Sequence, residues 1–229
     1  MKKLALLKVA FDTTIQPYEV SAFRGAIIDK VGRQHEWFHN HDNTSTSNNF
    51  HYRYSLIQYK TLHQKGNLQP MLVCMGTAVP EIHKLFAQPS LDIVLNGRPK
   101  KMVISTLDVQ GYELKLWNQP FYSKLYDWQA LNQENHRVYR QLEGIIAQTA
   151  FLEEKLAGHI RAFSEGVGWH IADKIKVTIL KVLREKEIST KGGRRLCFDI
   201  RFKTNVFLPE YIGLGKGTSK GFGVVRRDR

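Results

Sequence analysis

Residues 196–203 set the first constraint on the fold. Leu196, Phe198, Ile200 and Phe202 share one parity, while Asp199, Arg201 and Lys203 share the other. A period of two belongs to a strand with one face in a core and one toward water. A second such segment lies upstream, where Ile175, Val177 and Ile179 alternate with Lys174, Lys176 and Thr178. Between the two, KGGRR at Lys191 to Arg195 reads as a basic hairpin tip. The second half of the chain must therefore hold antiparallel sheet.

The first half spells out its own order of elements. Leu4 to Phe11 reads as a strand, and Pro17 opens a helix, where a fixed φ costs nothing. Val20, Phe23, Ile27, Ile28 and Val31 recur at helical spacing as its apolar stripe. A polar loop with three histidines (His35, His39, His41) and room for a short helical turn follows. Phe50 to Lys60 then reads as a strand from its aromatic and β-branched content. Pro70 to Gly76 is a short buried strand, and Thr77 to Gln88 a helix with Val79, Ile82, Leu85 and Phe86 inward. Leu91–Leu95 and Lys101–Leu107 complete the set. Strand, helix, strand, strand, helix, strand is the ferredoxin-like order, which also underlies many RNA-binding sheets.

A second unit begins near Gly111. Residues 121–148 resist assignment, although Trp128, Val138, Leu142, Ile145 and Ile146 suggest a helix toward the end. Phe151, Leu152, Leu156, Ile160 and Phe163 form a clear helical stripe, and His159 on that face reads as a core histidine. The expectation is an α+β protein of two tandem ferredoxin-like (RRM-like) domains, 1–110 and 111–229, with a glycine-rich C-terminal loop.

Composition points to a partner. Among 229 residues, Lys and Arg number 34 against 21 Asp and Glu, a net charge of +13. Such an excess favours a polyanion, and nucleic acid over membrane, since no basic helix shows a clean apolar face. Cys74 and Cys197 have no C-x-x-C spacing and read as buried free thiols of a cytoplasmic protein. The start, MKKLALLKVAF, looks like a secretory leader, but Lys8 interrupts its apolar run and a first strand is the better reading.

The tail, GLGKGTSKGFGVVRRDR from Gly213, carries the densest functional signal. Gly213, Gly215, Gly217, Gly221 and Gly223 fall within eleven positions, with Lys216 and Lys220 among them. Such a loop can turn backbone N–H groups toward an anion while lysines add charge. Neither the P-loop spacing nor the dinucleotide G-x-G-x-x-G fits. The physical reading is a cradle for a nucleic-acid backbone.

Four features occur in order: AFRG within the first helix (Ala22 to Gly25), the histidine loop, YRYSLIQYK at Tyr52 to Lys60, and the glycine loop ending in GFG. Together they resemble the CRISPR-associated endoribonucleases that cut precursor CRISPR RNA within its repeats, in the branch of the RAMP superfamily with a histidine pair in the first half. The resemblance implies tandem ferredoxin-like domains, metal-independent cleavage without a cofactor, and products with a 2′,3′-cyclic phosphate and a 5′-hydroxyl. It implies repeat RNA as partner and an interference complex as a further one, with monomer and homodimer both open.

The residues support that chemistry independently. Metal-free RNA cleavage needs a base for the 2′-hydroxyl, an acid for the departing 5′-oxygen, and a cation or N–H groups for the phosphate. Imidazole can be acid or base near neutral pH, each transfer being worth about 10²–10⁴-fold. His39 and His41, two apart, point to one side only in an extended segment. The family pattern places its pair in this loop, which assigns catalysis to His39 and His41, with His35 a third candidate. Lys60 is the candidate cation and Tyr52 a hydrogen-bond donor; by parity Lys60 and Arg53 lie on opposite strand faces. Arg24 falls inside the helical stripe, where an arginine must snorkel, pair or meet an anion. The expected RNA contacts are Arg24, Arg53, Lys191, Arg194, Arg195, Gly213, Gly215, Lys216, Lys220, Gly221 and Gly223. Two rivals stand beside this reading. One is a non-catalytic RNA-binding subunit of the same fold. The other is a metal-dependent nuclease using His35, His39, His41 and Asp42 as ligands, disfavoured because structural zinc usually recruits cysteine.

Overall fold

A computed structural model describes residues 1–39, 54–64, 66–190 and 193–228. It divides into two units. One comprises Lys3–Tyr112 with Ser219–Gly221, the other Met1–Lys2, Glu113–Thr218 and Phe222–Arg229. The excursion of Ser219–Gly221 into the first unit matters below.

The first unit is built from β1 (Lys2–Phe11), α1 (Val20–Val31), β2 (Ile57–Gln64), β3 (Asn67–Met75), a short α2 (His83–Phe86), a small hairpin of β4 (Ile93–Leu95) and β5 (Arg98–Lys100), and β6 (Ile104–Leu114). The sheet order is β2-β3-β1-β6, with β3 antiparallel to both neighbours. That is the ferredoxin-like order. The stripe of α1 packs on one sheet face: Val20, Phe23, Ile27, Ile28 and Val31 are all buried. Phe23 meets Phe11 at 6.2 Å and Tyr59 at 5.7 Å between ring centroids, both edge to face, an arrangement aromatic quadrupoles favour.

Three expectations need correction here. The strand expected from Phe50 begins at Ile57 and continues to Gln64, with Tyr54 and Ser55 outside it; residues 50–53 lie outside the described residues. The helix expected over 77–88 breaks into one-turn 3-10 pieces, Gly76–Ala78 and Pro80–Ile82, before α2. Pro80 has no N–H to continue a helical ladder, and Phe86 is 37 % exposed rather than inward. The expected strand at Leu91–Leu95 forms only the hairpin edge β4, outside the main sheet.

The second unit contains β7 (Leu116–Trp128), α3 (Gln133–Gln141), α4 (Gly144–Gly166), β8 (Val177–Thr190), β9 (Gly193–Val206) and β10 (Val224–Arg227). Its order, β10-β7-β9-β8, repeats the ferredoxin-like arrangement. Strand β7 resolves the ambiguous stretch. Pro120 sits where its register with β9 shifts between Leu116 and Phe121, a place where a residue without an N–H breaks no ladder bond. Asn132 starts α3 by accepting from the Asn135 N–H at 2.6 Å. Ile145 and Ile146, read as helical, do lie on the first turn of α4, where they are 75 % and 85 % exposed. Farther along, Leu152, Leu156, Ile160 and Phe163 are buried as their spacing requires. No described helix is long and apolar enough to cross a membrane.

Candidate nucleic-acid interface

The first unit fixes the histidine segment from three directions. After α1, residues Glu36–Phe38 form one 3-10 turn ending at His39. The His39 ring turns back so that Nε2 lies 2.6 Å from the Arg33 carbonyl. A carbonyl only accepts, so Nε2 carries the hydrogen in this contact. From α1, Arg24 Nη2 donates to the His39 carbonyl at 2.6 Å. From β2, the buried Tyr59 hydroxyl donates to the Phe38 carbonyl at 3.1 Å. His39 is 8 % exposed as a result.

The electrostatics of this corner follow from burial. Burial lowers the pKa of the Arg24 guanidinium, with Tyr59 acting the other way. Burial likewise pushes the Tyr59 hydroxyl up, keeping it a neutral donor. Arg24 Nε is enclosed and, among the described residues, has no hydrogen-bond partner. His35 sits apart, 3.4 Å from the Gln34 amide; partial burial, then Lys84, lowers its pKa.

Lys60 follows Tyr59 on β2. Successive residues of a strand face opposite ways, so Lys60 points away from the face on which Tyr59 meets α1. It is fully buried, and burial brings its pKa down to about 7. His41, Tyr52, Arg53, Asp42 and Lys191 lie outside the described residues.

The glycine loop departs from its sequence reading in an instructive way. Several of its N–H groups are spent within the protein. Leu214 N bonds Gly223 O at 2.8 Å, Lys216 N bonds Gln129 O at 3.2 Å, Phe222 N bonds Gly217 O at 3.3 Å, and Gly223 N bonds Asp127 O at 3.1 Å. Gly213, Leu214 and Gly223 are buried. At Gly223, φ is +62° and a Cβ would sit 1.9 Å from the Leu214 carbonyl oxygen. At Gly215, a Cβ would meet Gln129 O and the Trp128 indole at 2.8 Å. Gly215 and Gly223 thus serve close backbone packing, and the loop presents Lys216 and Lys220, both exposed. Beneath it, Trp128 Nε1 donates to His159 Nδ1 at 3.1 Å. Burial, with Lys216 and Lys155 nearby, lowers the His159 pKa to about 4, so His159 is a satisfied neutral core histidine.

The loop apex returns to the first unit. Lys220 bridges Tyr59 in parallel at the β2 edge, and Gly221 lies close enough to Val20 that a Cβ would be 3.2 Å from it. Thus Tyr59 is flanked on one side by the histidine segment and on the other by Lys220. Sequence reasoning assigned Tyr59 no site role; its hydroxyl is the signal that it could anchor a carbonyl. In the second unit, Arg194 and Arg195 stand exposed on the β8–β9 hairpin, with Arg194 3.8 Å from Glu187.

Comparison with known proteins supplies the family. Residues 2–113 match the Cas6b N-terminal domain and residues 115–228 the Cas6b C-terminal domain. An uncharacterized protein of Methanocaldococcus jannaschii is 31% identical over 153 residues, which span 67% of this chain and 98% of that one. The chain belongs to the Cas6b family. A crystal structure of Cas6b superposes with a TM-score of 0.87 at 21% identity, covering 99% of this chain and all of the other. A structure described as the CRISPR RNA processing endoribonuclease Cas6b follows at 0.71 and 20%, with the same coverage. The strand order of each unit makes the fold two tandem ferredoxin-like domains.

Proposed function

We propose that this protein is an endoribonuclease that cuts CRISPR precursor RNA within its repeats, without a metal. The 2′-hydroxyl oxygen attacks the adjacent phosphorus, and the bond to the 5′-oxygen breaks. One imidazole removes the 2′-hydroxyl proton and another protonates the departing oxygen, giving a 2′,3′-cyclic phosphate and a 5′-hydroxyl. His39 and His41 are assigned these roles, with Tyr52 as a further donor. The exposed Lys216, Lys220, Arg194 and Arg195, with Arg53 and Lys191, bind the RNA backbone. Lys60 is left out because of its burial.

The observation that carries this reading is the seating of His39. A short turn closed by three hydrogen bonds from Arg24, Tyr59 and the His39 ring itself is the preorganisation that proton transfer requires. Family membership supplies the substrate class. The test is cleavage of repeat RNA in EDTA by wild type, His39→Ala and His41→Ala. A single cut by wild type, at least 10²-fold slower in each variant with RNA binding retained, is expected. Cutting only when a divalent metal is restored would reject the mechanism.

A second reading has one observation behind it. His39 is nearly enclosed, with a ring nitrogen committed to a backbone carbonyl, as suits a structural histidine in a non-cleaving RNA-binding subunit. Tight binding of cognate repeat RNA with no cut would establish that reading instead.

A further inference from the structure

We infer that Arg24 is a positioning residue: it holds the backbone of His39 and acts on cleavage through that histidine, without touching RNA. This rests on the reading that the histidine segment cleaves RNA. An arginine that grips a phosphate presents a fork of two N–H groups. One such fork is the edge formed by Nε and Nη2. In Arg24 that edge is spent, because Nη2 is bonded to His39 O at 2.6 Å and Nε is sealed from solvent. The side chain emerges from the apolar stripe of α1, immediately after Phe23, whose ring packs on Tyr59. Desolvating a guanidinium is costly unless it is bonded, and here the bond goes to the carbonyl that ends the 3-10 turn.

The arrangement is a brace with two arms. Tyr59 holds Phe38 O from the sheet and Arg24 holds His39 O from the helix. Consecutive carbonyls are thereby fixed to two elements of the same rigid core. With Arg24 removed, the His39 peptide can rotate, and the ring contact with Arg33 O loses its support. A displacement of about 1 Å at a reacting group can cost about 10²-fold in rate.

The test uses Arg24→Met, which keeps the buried stem, and Arg24→Lys, which restores one donor. Single-turnover cleavage is measured in EDTA on RNA copied from a repeat of the host's CRISPR array, alongside RNA affinity over a salt series. Arg24→Met should cleave about 10²-fold slower, with affinity and salt slope unchanged, and Arg24→Lys should recover part of the rate. Weaker binding with a salt slope shallower by about 0.7, the value of one lost single-strand phosphate contact, would overturn the inference. So would a wild-type rate. A second readout does not depend on cleavage. In ¹⁵N-histidine spectra, the Nε2–H signal assigned by its loss in His39→Gln should broaden or vanish in Arg24→Met. If it persists unchanged, Arg24 does not hold His39. If wild type fails to cut while that signal does respond, the cleavage reading fails and the brace stands.

Discussion

In the histidine segment, side chains reach in from α1 and β2 to hold two backbone carbonyls, and one ring folds back on a third. In the glycine loop the backbone holds itself: Leu214, Lys216, Phe222 and Gly223 donate to carbonyls of the loop and its β7 support. The difference has a mechanical consequence. A segment braced by side chains can lose one brace and keep the fold, so its substitutions should appear in rate. A loop whose own backbone is the packing surface has no such freedom, so its substitutions should appear in stability.

The largest break is expected at Gly223. A Cβ there would overlap the Leu214 carbonyl, in a backbone conformation that favours glycine. Gly223→Ala should cost about 4 kcal/mol or more, since backbone must move to admit the methyl. Chemical denaturation would read it directly. Retained stability with RNA affinity alone reduced would mean that the loop is a pliable cradle after all, and the contrast would collapse.

A smaller effect follows from His159, which supports the glycine loop through Trp128. Its folded-state pKa, about 4, lies below the ordinary 6.5. Below pH 6.5 the unfolded chain therefore binds a proton that the folded chain resists. Stability should fall as pH drops from 6.5 toward 4, by at most roughly 3 kcal/mol. Denaturation of wild type and His159→Gln across this range would show the slope and its flattening in the variant. An identical slope in both would detach His159 from the loop's support.

Much of this was legible in the sequence, for physical reasons. The stripes of α1 and α4 and the alternation of β9 are local periodicities that predict most of the burial: α1 is buried as read and α4 buries Leu152, Leu156, Ile160 and Phe163 with Phe151 half-buried. On β9, Asp199 departs from its outward reading and is buried, paired with Arg184. Strand β7 was not legible, because Pro120 and the register shift interrupt its alternation. The glycine loop was legible as a place but not as a mechanism: five glycines signal unusual backbone, and only the fold tells close packing from anion binding. His39 is named through the resemblance, which places a histidine pair in this loop. Its brace was not legible, because Arg24 and Tyr59 meet it through backbone carbonyls, which carry no residue-specific signal. Arg24 inside an apolar stripe was the one visible clue, since a cation there needs an acceptor.

In the histidine unit a partly buried Arg24 and a fully buried Lys60 lie on adjacent elements. Arg24 bonds the turn that seats His39, whereas strand parity points Lys60 to the other sheet face. Its lowered pKa means that at neutral pH the folded state gives up a proton the unfolded chain keeps. Wild-type stability should rise from pH 7 toward 10.5 on this account, since unfolding then requires proton uptake. Lys60→Met removes the titration and preserves the stem, so the rise in stability between pH 7 and 10.5 should flatten in the variant. RNA cleavage should continue at the wild-type rate. Loss of cleavage with the fold intact would bring Lys60 back as the phosphate's cation, and would require its sheet face to open when RNA binds.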